Sequence, residues 1–346
     1  MKGIGKVTNP REGEVLETWD NVFFDVKGLT HPPDRVVAFI RFFPSVDGDR
    51  LKDGRRYRKV YSLKDRYTIL ESMFPQYLVY DPVFDEYLCE VPYSDIKFLH
   101  DPVNFLREIR LQKRRRDNLT LKALRFAELL KENSNIPWSS IGISGSVMIG
   151  MHKQSSDIDI LVYGSRNCLS VYETLKTLLK DEGLVKPYGE EGLRKLFLFR
   201  YRDTHMSYED FKRVESRKVT QGIFEDRDFF IRFVKNFEEN DERYGAFTYR
   251  KAGWAKVKAR IIDSSDSIFT PCRYRISDVE ILSGKKVNPI VEISSFRGRF
   301  CDQAREGEEV IAQGKLERVK ESGGSQHYYR LLLGGAPSDY MILADG

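Results

Sequence analysis

Two acidic residues, Asp157 and Asp159, sit one apolar residue apart inside an otherwise hydrophobic run, at the end of the stretch IGISGSVMIGMHKQSSDIDILVY (residues 141–163). Residues i and i+2 of a strand point to the same face. The run therefore predicts two carboxylates side by side, with Ile158 and Ile160 turned into a core. Adjacent carboxylates in a partly buried site repel each other unless something neutralises them. A pair of magnesium ions about 3.5–4 Å apart is the usual answer in phosphoryl and nucleotidyl transfer. Magnesium, or manganese in its place, takes oxygen ligands and leaves room for substrate phosphates. Upstream, Gly145 lets the backbone approach a phosphate closely. Ser146 opens a short helical segment whose first N–H groups suit an anion.

The elements that must hold these groups follow from the same stretch. An apolar run at Ile141 to Ser144 predicts a strand, and Gly145-Ser146 a tight turn. Val147 to His152 reads as a short helix, and the aspartate run as a second strand. Gly145 and Ser146, then Ser155-Ser156, Asp157, Ile158, Asp159 and Ile160 at this spacing resemble the signature of the DNA polymerase beta-like nucleotidyltransferase superfamily. The resemblance implies transfer of a nucleoside monophosphate from a nucleoside triphosphate to an acceptor hydroxyl, with release of pyrophosphate. It implies that Gly145, Ser146 and Ser156 touch the nucleotide and that Asp157 and Asp159 hold the metal. It also implies a third carboxylate from a later strand. Asp228, opening the apolar run Phe229 to Lys235, is the expected residue, ahead of Asp226 and Asp263. The segment FDVKGLTHPPDRVVAFIRFFP looks, more loosely, like the leading region of a group of archaeal predicted nucleotidyltransferases.

The rest of the chain sets the frame. Its 346 residues point to two or three domains, and a hydrophobic share of 41% is enough for real cores. Lys and Arg number 57 against 52 Asp and Glu, so the whole chain is no polycation. The four cysteines are far apart with no CxxC pair, which indicates neither a zinc site nor a disulfide framework. No apolar run approaches about eighteen residues, so a soluble, cytoplasmic protein without a membrane partner is expected.

The expected fold is α+β in three parts: a strand-rich N-terminal α/β region over 1–100, a nucleotidyltransferase core of mixed sheet and helices over 101–252, and a C-terminal β domain over 253–346. In the first part, Glu14 to Thr18 and Val22 to Lys27 predict a hairpin around Trp19-Asp20-Asn21, and Leu63 to Phe74 a helix. His31 beside two prolines reads as a turn residue rather than a ligand. Asp101-Pro102 starts a helix, and the basic stretch from Arg107 to Arg125, with Arg114, Arg115 and Arg116, would suit a nucleic-acid backbone. Asn167 to Lys180 reads as a helix closed by Gly183. Five short runs after Trp254 suggest a small sandwich or an OB-like barrel. Arg297 and Arg299, interleaved with Phe296 and Phe300, would suit contact with single-stranded nucleic acid. These features favour an RNA end as acceptor over a small molecule or a protein side chain. A binding module or nucleotide sensor on an inactive version of the same fold is the competing expectation.

Overall fold

The computed structural model describes residues 9–114, 117–181, 183–240 and 242–344. Its contacts divide the chain into two compact units. The first is Met1–Val79, Leu88–Pro187 and Val219–Asp241; the second is Tyr80–Tyr87, Tyr188–Lys218 and Glu242–Gly346.

The first unit holds two sheets. The N-terminal one is antiparallel, running Arg50–Lys52, Arg55–Lys59, Arg35–Pro44, Phe23–Val26, Val15–Thr18, Ile96–His100. The expected hairpin is there, with Val15 opposite Asp25 and Glu17 opposite Phe23. Arg35–Pro44 alternates buried and half-buried positions along its length, as a strand with one covered face should. Its inner face packs with Leu16, Phe24, Val91 and Leu70 of the helix Leu63–Met73 into one core. Ser62 caps that helix by accepting from the Asp65 N–H at 3.0 Å. His31 is a turn residue: its Nδ1 accepts from the Val37 N–H and its Nε2 lies 2.8 Å from the Pro10 carbonyl.

The second sheet of this unit is mixed, in the order Val185–Lys186, Gln221–Phe224, Arg227–Val234, Ile158–Tyr163, Ile141–Ile143. Ile158–Tyr163 runs parallel to Arg227–Val234 and antiparallel to Ile141–Ile143. The helix Asn118–Ser134 covers one face, where Phe126 packs against Phe224 and Phe229 with ring centroids 4.6 and 4.8 Å away. Gly142 is needed beside the helix Pro102–Arg110: a Cβ there would stand 2.5 Å from the Pro102 carbonyl carbon.

Three expectations need correcting here. The basic stretch is not one helix. Pro102–Arg110, capped by Asp101, stops, and Asp117 caps a second helix by accepting from the Thr120 N–H at 2.8 Å. The reason is local, since an aspartate between two polar residues competes for helix amides and starts a new helix instead of continuing the old one. Gly183 does not cap the helix Ser165–Leu178, whose cap is Leu179. Finally, the C-terminal strands begin at Phe247, earlier than expected.

Among its described residues the second unit contains the α-helices Glu190–Tyr201 and Tyr208–Glu215 and a six-stranded sheet. Phe247–Asp263 pairs with Cys272–Gly284 on one side and with Glu309–Glu321 on the other. Cys272–Gly284 pairs on to Ile290–Ser295, then His327–Leu332, which returns to Glu309–Glu321, so five strands close into a ring. The Ile290–Ser295/His327–Leu332 pair is parallel. The ring makes this part a barrel rather than two stacked sheets, filled by Val257, Ile261, Tyr274, Ile293, Leu316 and Leu331. Tyr340–Leu343 adds a sixth strand at the edge of Glu309–Glu321.

Candidate functional site

The aspartate strand begins at Ile158 and is buried along its length except at Asp159. Ile158 and Ile160 are in the core, Asp159 is half-buried and Asp157 is exposed at the strand mouth. Burial, and then repulsion from Asp157, push the Asp159 carboxyl up to about 7. Asp159 lines a cavity wall and Asp157 stands just before the strand, outside that lining; carboxylate oxygens of this kind suit a hard divalent cation.

Gly145 is fixed by this strand. Its backbone is left-handed, with φ +64°, and a Cβ there would stand 1.9 Å from Asp159 Oδ2. The missing side chain is therefore what lets the turn lie against the carboxylate. The Ser144 N–H donates to the Asp159 carbonyl at 2.9 Å, and Ser144 Oγ donates to the Gly13 carbonyl at 2.8 Å. The turn is thus pinned to both the strand and the N-terminal segment. Gly145–Met148 forms a single helical turn, and its first amides have no intrahelical acceptor.

A polar cleft opens here, lined by Gly145, Ser146 and Asp159, by Arg232 on the neighbouring strand of the same sheet, and by Asp25, Arg41 and Lys59 of the N-terminal sheet. Arg41 Nε is 3.5 Å from Asp25 Oδ2. Burial raises Asp25, but Arg41, Lys27 and Arg232 outweigh it and hold the carboxyl below its ordinary value. Lys59 is pushed down to about 8 by burial and by Arg41, against the pull of Asp157 and Asp159. Arg232 is held from behind by Glu12, which is fully buried. Glu12 takes Arg232 Nη1 at 2.8 Å, Lys27 Nζ at 2.9 Å and the Gly28 N–H at 2.7 Å.

The sequence missed Asp25, Arg41 and Lys59 as site residues, although a signal was present. Asp25 and Arg41 are charges inside apolar strands, the same anomaly that singled out Asp157 and Asp159.

Asp228 is exposed, one residue before the first paired rung, Ile158–Phe229, so the register continues it opposite Asp157, while Phe230, which lines the cavity, is opposite Asp159. Asp226 is exposed and ion-paired to Lys122, while Asp263 belongs to the second unit. Among the described residues no three His, Cys, Asp or Glu side chains gather as a metal-holding group. Ser146 is buried in the cavity wall. Ser156 serves the loop before the strand: its Oγ accepts from the Lys153 N–H at 2.9 Å and from Arg50 Nη1 at 3.4 Å.

The arginines expected to meet nucleic acid are also placed differently. Arg114 pairs with Glu108 and lies 5.3 Å from the Phe105 ring centre, while Arg115 and Arg116 fall outside the described residues. Arg297 and Arg299 turn inward within the second unit. Arg297 Nη2 donates to Asp203 Oδ2 at 2.8 Å, and Arg299 Nη1 donates to Thr204 Oγ1 at 2.9 Å. Burial, then Arg297 and Arg200 beside it, push Arg299 down to about 8. Phe296 and Phe300 therefore mark a core turn rather than a stacking surface: Phe300 is buried and its carbonyl accepts from Tyr274 OH at 2.7 Å.

The chain is 29% identical over 329 residues to "Uncharacterized protein MJ1086" of Methanocaldococcus jannaschii, covering 93% of this chain and 94% of that protein. No family model matches the chain. No solved structure matches it either. Among the described residues no helix is long and apolar enough to cross a membrane.

Proposed function

We propose that this chain is a metal-dependent nucleotidyltransferase. The acceptor oxygen forms a bond to the α-phosphorus of a nucleoside triphosphate, the α–β bridging P–O bond breaks, pyrophosphate leaves, and the acceptor proton passes to a base or to solvent. The observation that carries this reading is the cavity in which Asp159, beside a glycine that cannot bear a side chain, faces Arg41, Lys59 and Arg232. Acidic and basic groups lining one cavity suit a ligand that brings both cation and phosphate.

Asp157 and Asp159 would hold magnesium, with phosphate oxygens and water supplying the remaining ligands. When bound, the metal neutralises charge on the transferring phosphoryl group. Arg41, Lys59 and Arg232 neutralise the β- and γ-phosphates, and the charge on leaving pyrophosphate is met by the same groups. Glu12 keeps Arg232 aimed, since the guanidinium is fixed by a bond to a fully buried carboxylate. The turn amides at Gly145 and Ser146 approach the phosphates from the third side. The ring order of the C-terminal barrel, with its one parallel pair, supports the OB-like expectation for that part and, with it, an RNA acceptor.

One observation favours a second reading, a triphosphate sensor that binds without transferring. An aromatic ring, Phe230, and not a carboxylate, stands beside Asp159. Transfer of label separates the two. Incubation with each α-labelled nucleoside triphosphate, magnesium and pooled RNA or cell extract is expected to place label on an acceptor. Tight nucleotide binding with no label transferred from any of the four would refute the transferase in favour of the sensor.

A further inference from the structure

The barrel of the second unit carries a surface that the transfer site does not use. Along Phe247–Asp263, Ala255, Val257, Ala259 and Ile261 fill the barrel, so Trp254, Lys256, Lys258 and Arg260 face outward. Trp254 is 51% exposed. Folded proteins ordinarily bury most of a tryptophan, so an open indole face on a rigid strand calls for a partner.

The charge around it is uneven. Lys258 is 3.0 Å from Glu309, Arg260 is 3.2 Å from the same carboxylate, and Lys315 is 2.7 Å from Glu317, so these three are neutralised locally. Among the described residues Lys256, Lys285 and Lys286 have no ion-pair partner, and Lys285 and Lys286 are exposed. Lys256 and Lys285 stand close to the tryptophan, and Lys286 follows Lys285 in the chain. Lys256 is the next outward residue on its strand. The Lys285 N–H donates to the Trp254 carbonyl at 2.9 Å. The Lys285 side chain crosses Gly253, where an added Cβ would lie 3.5 Å from Lys285 Cδ. Gly284 makes that approach possible: its φ is +93°, and a Cβ there would stand 2.5 Å from the Trp254 carbonyl oxygen.

We propose that the face formed by Trp254, Lys256, Lys285 and Lys286 binds single-stranded nucleic acid. Unpaired lysines complement phosphates, and the open ring offers a platform for one base, as on other strand-tracking surfaces. A duplex has its bases already stacked on each other and gains nothing from the ring. The site is independent of the transfer chemistry, so oligonucleotide binding and pyrophosphate release can fail separately.

The test is fluorescence anisotropy of the full chain with a labelled RNA of about 16 nucleotides, the upper end of site sizes on such surfaces, across a salt series. Trp254→Ala is expected to weaken binding about tenfold or more. Lys256→Gln/Lys285→Gln/Lys286→Gln is expected to lower the salt slope by about 2. Trp254, Lys285 and Lys286 are exposed and Lys256 is half-buried, its Nζ 6.0 Å from the Tyr340 ring centre; unchanged thermal melts establish that both variants fold. Several results would overturn the proposal: no binding at low salt, equal affinity in wild type and both variants, or a duplex bound as tightly as the single strand. Trp254-dependent binding to anionic lipid vesicles with none to RNA would also overturn it, in favour of a membrane surface.

Discussion

Replacing Gly145 with alanine tests the geometry of the site at its tightest point. Two costs are separable. A non-glycine residue held at φ +64° pays about 1–2 kcal/mol for left-handed backbone. The new methyl would also stand 1.9 Å from Asp159 Oδ2 and 2.8 Å from its Cγ, and relief by shifting packed groups costs about 1–3 kcal/mol. Gly145→Ala is therefore expected to destabilise the fold by about 2–5 kcal/mol in urea titrations. Removing the carboxylate should return the second cost but not the first, because Asp159 Cβ lies at the more tolerable 3.1 Å. In a double-mutant cycle, Gly145→Ala in an Asp159→Ala background is expected to cost only the backbone share, with a coupling of about 1–3 kcal/mol. Additive effects, with Gly145→Ala equally costly in both backgrounds, would refute the close approach of turn and carboxylate on which the site is built.

Asp159→Asn supplies the pH test. The folded-state carboxyl is raised to about 7 by burial and Asp157, from its ordinary value of 3.8, so its contribution is present below pH 4 and lost as pH rises through about 7. With a chelator present, the asparagine variant is expected to be more stable than wild type at pH 8, by at most about 4 kcal/mol, and equal to it near pH 4. Denaturation midpoints across that range check the sign. Glu12→Gln breaks a fully buried carboxylate away from Lys27 and Arg232. It should cost about 3–5 kcal/mol and raise KM for the nucleotide in steady-state assays. Arg299→Ala is expected to lower stability, because it removes the bond to Thr204, while leaving RNA affinity unchanged in a filter-binding assay.

How much of this was legible beforehand depends on the range of each interaction. The strand–turn–strand around Gly145 and Asp159 was readable because its signals are local: a glycine at a turn, an i, i+2 carboxylate pair, and apolar residues between them. The hairpin at Trp19 and the five barrel strands were readable for the same reason. The opposite wall of the cavity was not. Asp25, Arg41 and Lys59 lie a hundred residues or more upstream of Asp159, and only folding of the N-terminal sheet onto the core brings them together. Arg297 and Arg299 show the converse error. A run of arginines and aromatics looks the same in sequence whether it faces water or a buried aspartate, and Asp203, far off in sequence, decides it. Asp228 was read on the expected strand, but that the register sets it beside Asp157 and sets Phe230 beside Asp159 is a matter that pairing alone fixes.

The measurement that tests the central claim most directly is pyrophosphate release from each of the four nucleoside triphosphates with magnesium or manganese. The wild type would be assayed beside Asp157→Ala/Asp159→Ala, with pooled RNA and cell extract as acceptors. The account predicts release that requires the metal and is abolished in the double variant. Release by the double variant at the wild-type rate, or none from the wild type with any triphosphate and either metal, would contradict it.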